Sequence, residues 1–593
     1  MAAVPKEMYA GTALCLEHRA FLHVRKVEIM GKENIYEKEM SDFPVSFMKE
    51  DIYRVDLMLP MTDGVCLETY IYHPPLTDPR GESGRSYPLV LTRSPYAKAF
   101  AVYEQQALEF AMRGIAFAIQ FCRGTGKSQG KWVPNIYDRS DGLDTMNYLA
   151  SLDWVESLGY FGGSYVAFTG WIMADAVPEK VKGMYLSVYG TDRHVSAYKD
   201  GLFRQDILTS WAMDNAGEKI DSDYLKSCSY LPQARVDRDL WQVDLPWYRD
   251  WITHTDYNDP YWQTGVWETL KNIPSKLTYP IVIEEGWYDH HLGGALVGYR
   301  NLQGRAKEQA LLRVGCWNHG KKPVLQNREC DHLENAQIAP AFRFFDCVLR
   351  GSGQLQTGVE LYLIGADQWI QAKEWPQNGQ DQVYYLDSAA KSSDSAAASL
   401  KPSLPESEGV LSYIYNPADP VPSHGTESCF KLMHEVGSLL QPEPGCRPDV
   451  ISFLSEPLEE ELVIIGNPQV ELYVSSDAED TAFTMKLMEV YADGKAYNIR
   501  SGITTLAYRG HSDSRQTYTP GDVVPINIDS WDIAWKFQKG SRIRLDISSS
   551  DFPQYSVHSN YPGIWALQDK TKAARQTIYS GSAYPSRLIL PLI

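Results

Sequence analysis

Gly159-Tyr160-Phe161-Gly162-Gly163-Ser164-Tyr165-Val166-Ala167 is the stretch around which the rest of the chain is organised. The serine lies between an apolar approach and an apolar run that extends to Ala174, a pattern that predicts a strand, a sharp turn and a helix. Such a turn strains the backbone of the serine and needs small neighbours, of which Gly162 is one. Because Val166 stands where the general pattern has glycine, this stretch alone also fits an ordinary glycine-rich loop.

Strands and helices alternate on both sides of this stretch. A hairpin is predicted over 52–72, and buried strands are predicted over 87–92 and 115–121, with helices over 103–113 and 141–150. The pattern resumes with the apolar segments 281–283 and 310–314. Buried strands that alternate with helices indicate a mostly parallel, doubly wound sheet.

The segment 191–275 interrupts this pattern and reads as an inserted helical cap that is rich in aromatic residues. Caps of this kind wall a pocket, and aromatic walls bind apolar acyl or aryl groups, although some of the rings would only bury the cap against the sheet. The tryptophans concerned are Trp211, Trp241, Trp247, Trp251, Trp262 and Trp267.

After about residue 360 the character of the chain changes to short alternating strands, such as 470–474, 543–547 and 588–590. Such strands with turn signals between them indicate an antiparallel sandwich or jelly roll. We therefore expect an N-terminal arm and an α/β domain in two parts that flank the cap, followed by a β-domain. The arm would pack either on another part of the chain or on another subunit, and the second alternative would make the protein a homo-oligomer. The expected ranges are 1–45 for the arm, 46–190, 191–275 for the cap, 276–360, and 361–593 for the β-domain.

Composition excludes several classes of partner. The 593 residues carry a formal net charge of −19, which repels nucleic acid and anionic membranes, and no apolar run approaches the roughly 18 residues needed to span a bilayer. The nine cysteines are odd in number and contain no Cys-x-x-Cys, which favours free thiols in a reducing compartment over disulfides or zinc. Because residues 1–11 show no leader pattern, we expect a cytoplasmic protein. Because the cysteines and histidines form no metal-binding motif, we expect no metal site.

The partners that a serine nucleophile requires follow it in the chain. A general base and an orienting carboxylate are expected in the order Ser, Asp or Glu, His, each after a strand of the sheet. Asp289 follows the strand 281–285, and His319 follows the strand 311–314. A cap insertion accounts for the long gap between Ser164 and Asp289. The order predicts a triad of Ser164, Asp289 and His319.

These segments resemble the cocaine esterase-like and X-Pro dipeptidyl-peptidase-like serine hydrolases, the CocE/NonD group, from about residue 50 to the end of the chain. The matching motifs are Met61-Thr62-Asp63-Gly64-Val65, Thr92-Arg93-Ser94-Pro95-Tyr96, Arg123-Gly124-Thr125-Gly126-Lys127-Ser128, Gly162-Gly163-Ser164-Tyr165, Gly286-Trp287-Tyr288-Asp289, Trp317-Asn318-His319-Gly320, Tyr415-Asn416-Pro417-Ala418-Asp419-Pro420-Val421-Pro422 and Ser455-Glu456-Pro457-Leu458.

The resemblance implies an α/β hydrolase fold with an inserted helical cap and a C-terminal all-β jelly-roll domain of galactose-binding-like type. It implies the same triad, and an oxyanion hole made by the hydroxyl of Tyr96 and the backbone N–H of Tyr165. We assign Trp211, Trp287 and His290 to substrate binding. No cofactor is implied.

The chain departs from the family pattern next to the catalytic aspartate. Some members bind the α-amino group of a substrate through acidic residues there, whereas this chain has His290 and His291. The expected function is cleavage of a small-molecule ester or amide through an acyl-enzyme. The alternatives are an X-Pro dipeptidyl-peptidase, an acyltransferase or cyclase with the same triad, and a non-catalytic binding protein.

Overall fold

A computed structural model describes residues 23–26, 34–77, 84–334, 336–375, 379–389, 396–425, 427 and 436–592. Most of the arm expected over residues 1–45 therefore lies outside the described residues. Of the described part, residues 23–26 pair with a strand of the first sheet. Tyr36 and Met40 are buried, and the Glu39 carboxylate accepts hydrogen bonds from the backbone N–H groups of Gln337 and Ile338.

The first part of the chain builds one half of a sheet and three helices. Its buried strands are apolar on both faces, as strands covered by helices on both sides should be. The strands are β1 (His23–Lys26), β2 (Tyr53–Pro60), β3 (Cys66–His73), β4 (Tyr87–Ser94), β5 (Ala116–Phe121), β6 (Val155–Gly163) and β7 (Val181–Ser187), and the helices are α1 (Phe100–Met112), α2 (Asp138–Ser151) and α3 (Tyr165–Trp171).

Residues 191–275 form the inserted segment, which is made of short helices and one small hairpin. Trp251, Trp262 and Trp267 are at most 4% exposed, so most of the aromatic surface packs inward. The elements are α4 (Arg193–Ala197), β8 (Tyr198–Lys199), β9 (Leu202–Phe203), α5 (Gln205–Asp214), α6 (Tyr224–Cys228), α7 (Val236–Asp239), α8 (Pro246–Thr253), α9 (Pro260–Gln263) and α10 (Gly265–Asn272).

The chain then returns to the first sheet. The elements are β10 (Ile281–Tyr288), α11 (Leu292–Asn301), α12 (Gly304–Glu308), β11 (Leu311–Asn318), α13 (Ala339–Arg350), β12 (Gly358–Leu363) and β13 (Gln368–Ala372). Across the described residues the strand order is β1-β2-β3-β5-β4-β6-β7-β10-β11-β12-β13. The strands from β5 to β12 in this order are parallel, which brings their carboxyl ends to one edge. The sheet continues to Ala372, past the boundary expected at residue 360.

The remaining strands form a second sheet system, whose pairs are antiparallel apart from β15 with β17. The strands are β14 (Gln380–Asp387), β15 (Ala398–Lys401), β16 (Gly409–Tyr415), β17 (Ile451–Ser455), β18 (Leu462–Gly466), β19 (Gln469–Ser476), β20 (Ala482–Val490), β21 (Ala496–Thr505), β22 (Val524–Asp529), β23 (Ile533–Phe537), β24 (Arg542–Ser548), β25 (Ala574–Ser580) and β26 (Arg587–Leu592).

The two sheets and the cap share one apolar core. A single cluster of buried side chains includes Leu91 of β4, Trp262 of the cap and Ile547 of β24. Trp531 packs so closely on α11 that a Cβ atom added to Gly293 would lie 1.8 Å from its ring. The C-terminal β-domain therefore lies directly against the helix that follows Asp289. No helix in the described part of the chain is long and apolar enough to cross a membrane.

Candidate active site

Ser164 lies on the sharp turn between β6 and α3, with a backbone φ of +59°. This left-handed conformation is strained for a residue with a side chain. Gly162 makes the turn possible, because a Cβ atom there would lie 2.5 Å from the carbonyl oxygen of Val166 and 2.7 Å from its Cγ1. Val166 thus takes the space that the missing side chain leaves, which explains how the turn accommodates valine at this position.

Ser164, Asp289 and His319 each follow directly on a strand: β6, β10 and β11. Because these strands are parallel, their ends bring the three side chains together. The Oγ atom of Ser164 lies 2.8 Å from Nε2 of His319, and Nδ1 of His319 lies 2.6 Å from Oδ2 of Asp289. The other carboxylate oxygen of Asp289 accepts a hydrogen bond of 2.7 Å from the backbone N–H of His291. This is the geometry of a nucleophile, a base and an orienting carboxylate.

The hydroxyl of Tyr96 is available as a hydrogen-bond donor beside the serine. Tyr96 follows β4, and its oxygen accepts a hydrogen bond of 3.1 Å from the indole N–H of Trp211. Since that contact uses a lone pair, the phenolic proton stays free to donate. Burial raises the pKa of Tyr96, against the opposing effect of its contacts with Trp211 and Ser164, so the phenol is protonated at neutral pH.

Tyr165 contributes its backbone and its side chain in different directions. It is the first residue of α3, so its N–H has no acceptor within the helix. Its phenol instead donates to the Asp138 carboxylate at 2.7 Å and accepts from the backbone N–H of Asn135 at 2.7 Å. These side-chain contacts fix the position of Tyr165, and with it the position of its N–H at the end of the turn.

A small cleft with about 360 Å³ of empty space opens onto Ser164 and His319. Helix α5 supplies much of its wall, through Ile207, Leu208 and Trp211. The remaining lining residues are Asn135, Tyr165, Tyr189, Arg193, Trp251, His290 and His291. None of the described residues that line the cleft is acidic.

The structure brings two of the three expected substrate-binding residues to this cleft. Trp211 and His290 line it, and the ring of His290 lies 4.9 Å from that of His319. Trp287 does not line it: its indole is fully buried, packs on Trp375 and donates a hydrogen bond of 2.8 Å to the carbonyl oxygen of Tyr362. Its place on a strand with both faces covered turns the indole into the core behind the site.

His290 and His291 are neutral at ordinary pH. Burial lowers the pKa of each ring well below its usual range, and the neighbouring guanidinium groups of Arg193 and Arg204 lower it further. The His291 ring lies 3.1 Å, through Nδ1, from the hydroxyl oxygen of Ser196. The two rings therefore contribute polarity to the cleft but no lasting charge.

Sequence reasoning missed Arg193 and Glu285. Arg193 lines the cleft from α4, in a polar stretch that carries no motif. Glu285 lies on β10, fully buried four residues before Asp289. The adjacent acidic residues Glu284 and Glu285 inside an otherwise apolar strand are the signal in the sequence that could have identified Glu285.

Two groups of three side chains in the described residues have ligand atoms close enough for a metal ion: Asp289, His290 and His319, and the more exposed Asp200, His511 and Asp529. The first group shares two residues with the hydrogen-bonded chain at Ser164. In the second, Asp529 already lies 2.6 Å from Nζ of Lys199.

Comparisons with known proteins agree with this architecture. Residues 63–321 match the X-Pro dipeptidyl-peptidase (S15 family) model, and residues 354–589 match the X-Pro dipeptidyl-peptidase C-terminal non-catalytic domain. The chain is 29% identical over 579 residues to cocaine esterase of Rhodococcus sp. (strain MB1 Bresler), which covers 91% of this chain and 98% of the esterase.

Two solved structures share the fold. An aminopeptidase from the marine sediment archaeon Thaumarchaeota archaeon superposes with a TM-score of 0.79 at 21% identity, over 92% of this chain and 96% of the other. An α-amino acid ester hydrolase gives a TM-score of 0.76 at 22% identity, over 92% and 97%. The predicted fold class, an α/β hydrolase with an inserted helical cap and a C-terminal all-β domain, is confirmed.

Proposed function

The chain belongs to the serine hydrolases related to cocaine esterase and X-Pro dipeptidyl-peptidase, and on this premise we propose that Ser164 cleaves a carboxylic ester or amide of a small molecule through an acyl-enzyme. The observation that carries the assignment of the site is the continuous chain of hydrogen bonds from Asp289 through His319 to Ser164. That chain supplies a base for the serine proton and a carboxylate that fixes the tautomer of the base.

In the first half of the reaction the Oγ atom of Ser164 attacks the substrate carbonyl while Nε2 of His319 takes the hydroxyl proton. The Tyr96 hydroxyl and the Tyr165 N–H donate hydrogen bonds to the oxyanion that forms, and two such donors contribute several kcal/mol to the stability of the transition state. His319 then passes its proton to the leaving alcohol or amine, and the acyl group stays on Ser164.

In the second half a water molecule attacks the acyl-enzyme. His319 takes a proton from this water, the same two donors hold the new oxyanion, and the proton returns to Ser164 as the carboxylic acid leaves. The Asp289 carboxylate accepts the hydrogen bond from His319 and stabilises the imidazolium that forms twice in the cycle.

Replacement of the nucleophile tests the proposal. With 4-nitrophenyl butyrate as substrate, Ser164→Ala should lower kcat by at least about 10⁴-fold, because a triad without its nucleophile retains only binding and oxyanion contacts. Ser151→Ala, at the exposed end of α2, is the matched control and should keep wild-type turnover. A fluorophosphonate should label the wild-type chain on Ser164, as seen by peptide mass spectrometry. Unchanged turnover by Ser164→Ala would remove this serine from the mechanism.

X-Pro dipeptidyl-peptidase activity is the second candidate, favoured by the match of residues 63–321 to that family. Such a substrate presents an α-ammonium group, for which a carboxylate is the natural partner, and no acidic residue lines the described part of the cleft. Gly-Pro 4-nitroanilide against 4-nitrophenyl butyrate separates the two activities. An amine acceptor added to the ester assay detects acyl transfer as a new amide product.

We also propose a cytoplasmic location. None of the cysteines among the described residues forms a disulfide, which suits a reducing compartment.

A further inference from the structure

Arg193 is a buried cation that lines the cleft and has no counterion among the residues that the structure describes. The residue is 7% exposed, and its Nε atom has no hydrogen-bond partner. The guanidinium lies 4.6 Å from the centre of the Trp251 ring, a contact that orients it without neutralising it. In the described part of the chain no carboxylate lies within 4.0 Å of its nitrogen atoms and no acceptor takes a hydrogen bond from it.

The nearest acid in sequence is engaged elsewhere. Asp192 accepts a hydrogen bond of 3.2 Å from the backbone N–H of Val195 through one oxygen and one of 3.0 Å from the Tyr257 hydroxyl through the other. The second oxygen also lies 3.6 Å from Nζ of Lys271. Asp192 therefore caps the first turn of α4 and contacts Tyr257 and Lys271 of the inserted segment. Its carboxylate is directed away from the Arg193 guanidinium.

A neighbouring buried arginine provides a comparison. Arg204, which is 1% exposed, pairs with the Glu427 carboxylate, and the second oxygen of Glu427 lies 3.2 Å from Arg500. The fold thus supplies a carboxylate for the buried guanidinium that serves packing. At Arg193, which lines the cleft, it supplies none among the described residues.

Arg193 brings a positive charge to the lining of the cleft. No described lining residue is acidic, and the pKa values of His290 and His291 lie well below their usual range. Burying an unpaired guanidinium is unfavourable, and a bound anion would offset that cost. A carboxylate matches the two parallel N–H groups of a guanidinium better than any neutral group does.

We infer that Arg193 binds a carboxylate of the substrate, so that the preferred substrates are esters or amides that carry an anionic group close to the scissile bond. This inference rests on the proposed function, because it places the anion in the cleft that opens onto Ser164. The carboxylate belongs either to the acyl group, as in a monoester of a dicarboxylic acid, or to the leaving group. The small size of the cleft limits the chain between the two groups to a few carbon atoms.

Four aryl esters distinguish these sources. Mono-4-nitrophenyl glutarate has its carboxylate on the acyl side, and the 4-nitrophenyl ester of monomethyl glutarate is its neutral match. 4-Carboxyphenyl butyrate has its carboxylate on the leaving-group side, and 4-(methoxycarbonyl)phenyl butyrate is its neutral match. The wild-type enzyme should prefer one of the two charged esters over its neutral match by about 10- to 100-fold in kcat/KM, the range of a charge-assisted hydrogen bond.

Arg193→Gln should remove that preference, with a loss of about 10- to 100-fold on the charged ester and little change on the neutral one. Arg193→Lys should keep part of the preference, and Arg238→Gln, on the exposed surface of the cap, should keep all of it. Equal losses on charged and neutral esters would mean that Arg193 only supports the fold, and would overturn the inference. No preference by the wild-type enzyme would overturn it as well.

Inhibition of the wild-type enzyme covers the case in which the variants do not fold. Glutarate should inhibit hydrolysis of 4-nitrophenyl butyrate competitively, more strongly than glutaramide and less strongly at high salt. Equal inhibition by the two compounds would contradict the inference. Failure of the proposed function would look different, since Ser164→Ala would then still hydrolyse the neutral ester.

Discussion

At the scale of single residues, the site depends on which groups can donate hydrogen bonds and which cannot. Tyr96 has a raised pKa and its oxygen accepts a hydrogen bond from the indole N–H of Trp211, which leaves the phenolic proton available. The N–H of Tyr165 has no acceptor within its helix because the helix begins there. The two proposed donors come from different elements, the loop after β4 and the start of α3. Donors that the fold holds in place need no reorganisation during the reaction.

Tyr96→Phe tests the first of these donors. We expect kcat for 4-nitrophenyl butyrate to fall by about 10²-fold with little change in KM, because the lost hydrogen bond forms with the oxyanion and not with the ground-state substrate. Steady-state kinetics at saturating and limiting substrate separate the two constants.

The control for this variant is Tyr103→Phe, which removes a neighbouring hydroxyl that contacts Oγ of Ser94 at 2.8 Å instead of the cleft. Its kcat should stay close to that of the wild type. A fall of similar size in both variants would point to a damaged loop, and an unchanged kcat in Tyr96→Phe would remove the phenol from the oxyanion hole.

At the scale of elements, the sequence predicted what depends on local pattern. The strands around Ser164, Asp289 and His319 were visible as apolar runs followed by polar loops, and the parallel arrangement then brings the three loop residues to one edge. What pattern does not give is the direction of a side chain on a strand covered on both faces. Trp287, which the sequence analysis assigns to substrate binding, lies in the core. Arg193 lies in no recognisable motif. Its proposed role depends on the lack of a carboxylate partner among the described residues, and only the folded structure shows that.

Strand β10 also carries two adjacent buried acidic residues, Glu284 and Glu285, whose surroundings differ. Glu284 pairs with Nζ of Lys321 at 2.6 Å and with Arg313 at 3.3 Å. Glu285, on the opposite face, has no hydrogen-bond partner for either oxygen among the described residues. Burial, followed by the nearby charge of Asp289, raises the pKa of Glu285 well above its usual range. Folding therefore favours the protonated, neutral form of this carboxyl group.

Glu285→Gln should change how stability depends on pH. Above pH 4.5, the ordinary pKa of a glutamate, the unfolded state loses the Glu285 proton while the folded state, with its raised pKa, keeps it, so this residue lowers the stability of the wild-type protein as pH rises toward the folded pKa. The amide has no proton to lose. The variant should therefore gain in Tm relative to the wild type between pH 5 and 8.

Thermal unfolding of both proteins at several pH values in this range measures the difference. Glu284→Gln is the matched control on the same strand and should instead lower Tm, because it leaves the buried Lys321 ammonium without its carboxylate and removes one of the three carboxylates that surround Arg313. A constant difference in Tm between Glu285→Gln and the wild type across the range would mean that Glu285 titrates alike in both states.

At the scale of the whole molecule, the C-terminal β-domain supports the cleft although it supplies none of its described lining. Arg204 directly precedes α5, the helix that provides Ile207, Leu208 and Trp211. Its guanidinium pairs with Glu427, which also pairs with Arg500 of β21, and all three side chains are at most 3% exposed. Trp531 packs on Arg204 and on Gly293 of α11. The β-domain therefore holds two helices that border the site.

Glu427→Gln tests this coupling, because the single carboxylate neutralises two buried guanidinium groups from different domains. Removing its charge leaves both cations uncompensated, at a cost of about 3–5 kcal/mol, which should appear as a fall in Tm of several degrees. Because one of the cations anchors α5, turnover of 4-nitrophenyl butyrate should also fall, even though Glu427 is not among the residues that line the cleft.

Lys539→Ala provides the contrast, since Lys539 and Glu460 form an ion pair whose side chains are 63% and 83% exposed. Exposed pairs of this kind contribute little, so Tm and turnover should both stay at the wild-type value. If Glu427→Gln lowers Tm but leaves turnover intact, the β-domain stabilises the fold without positioning the cleft.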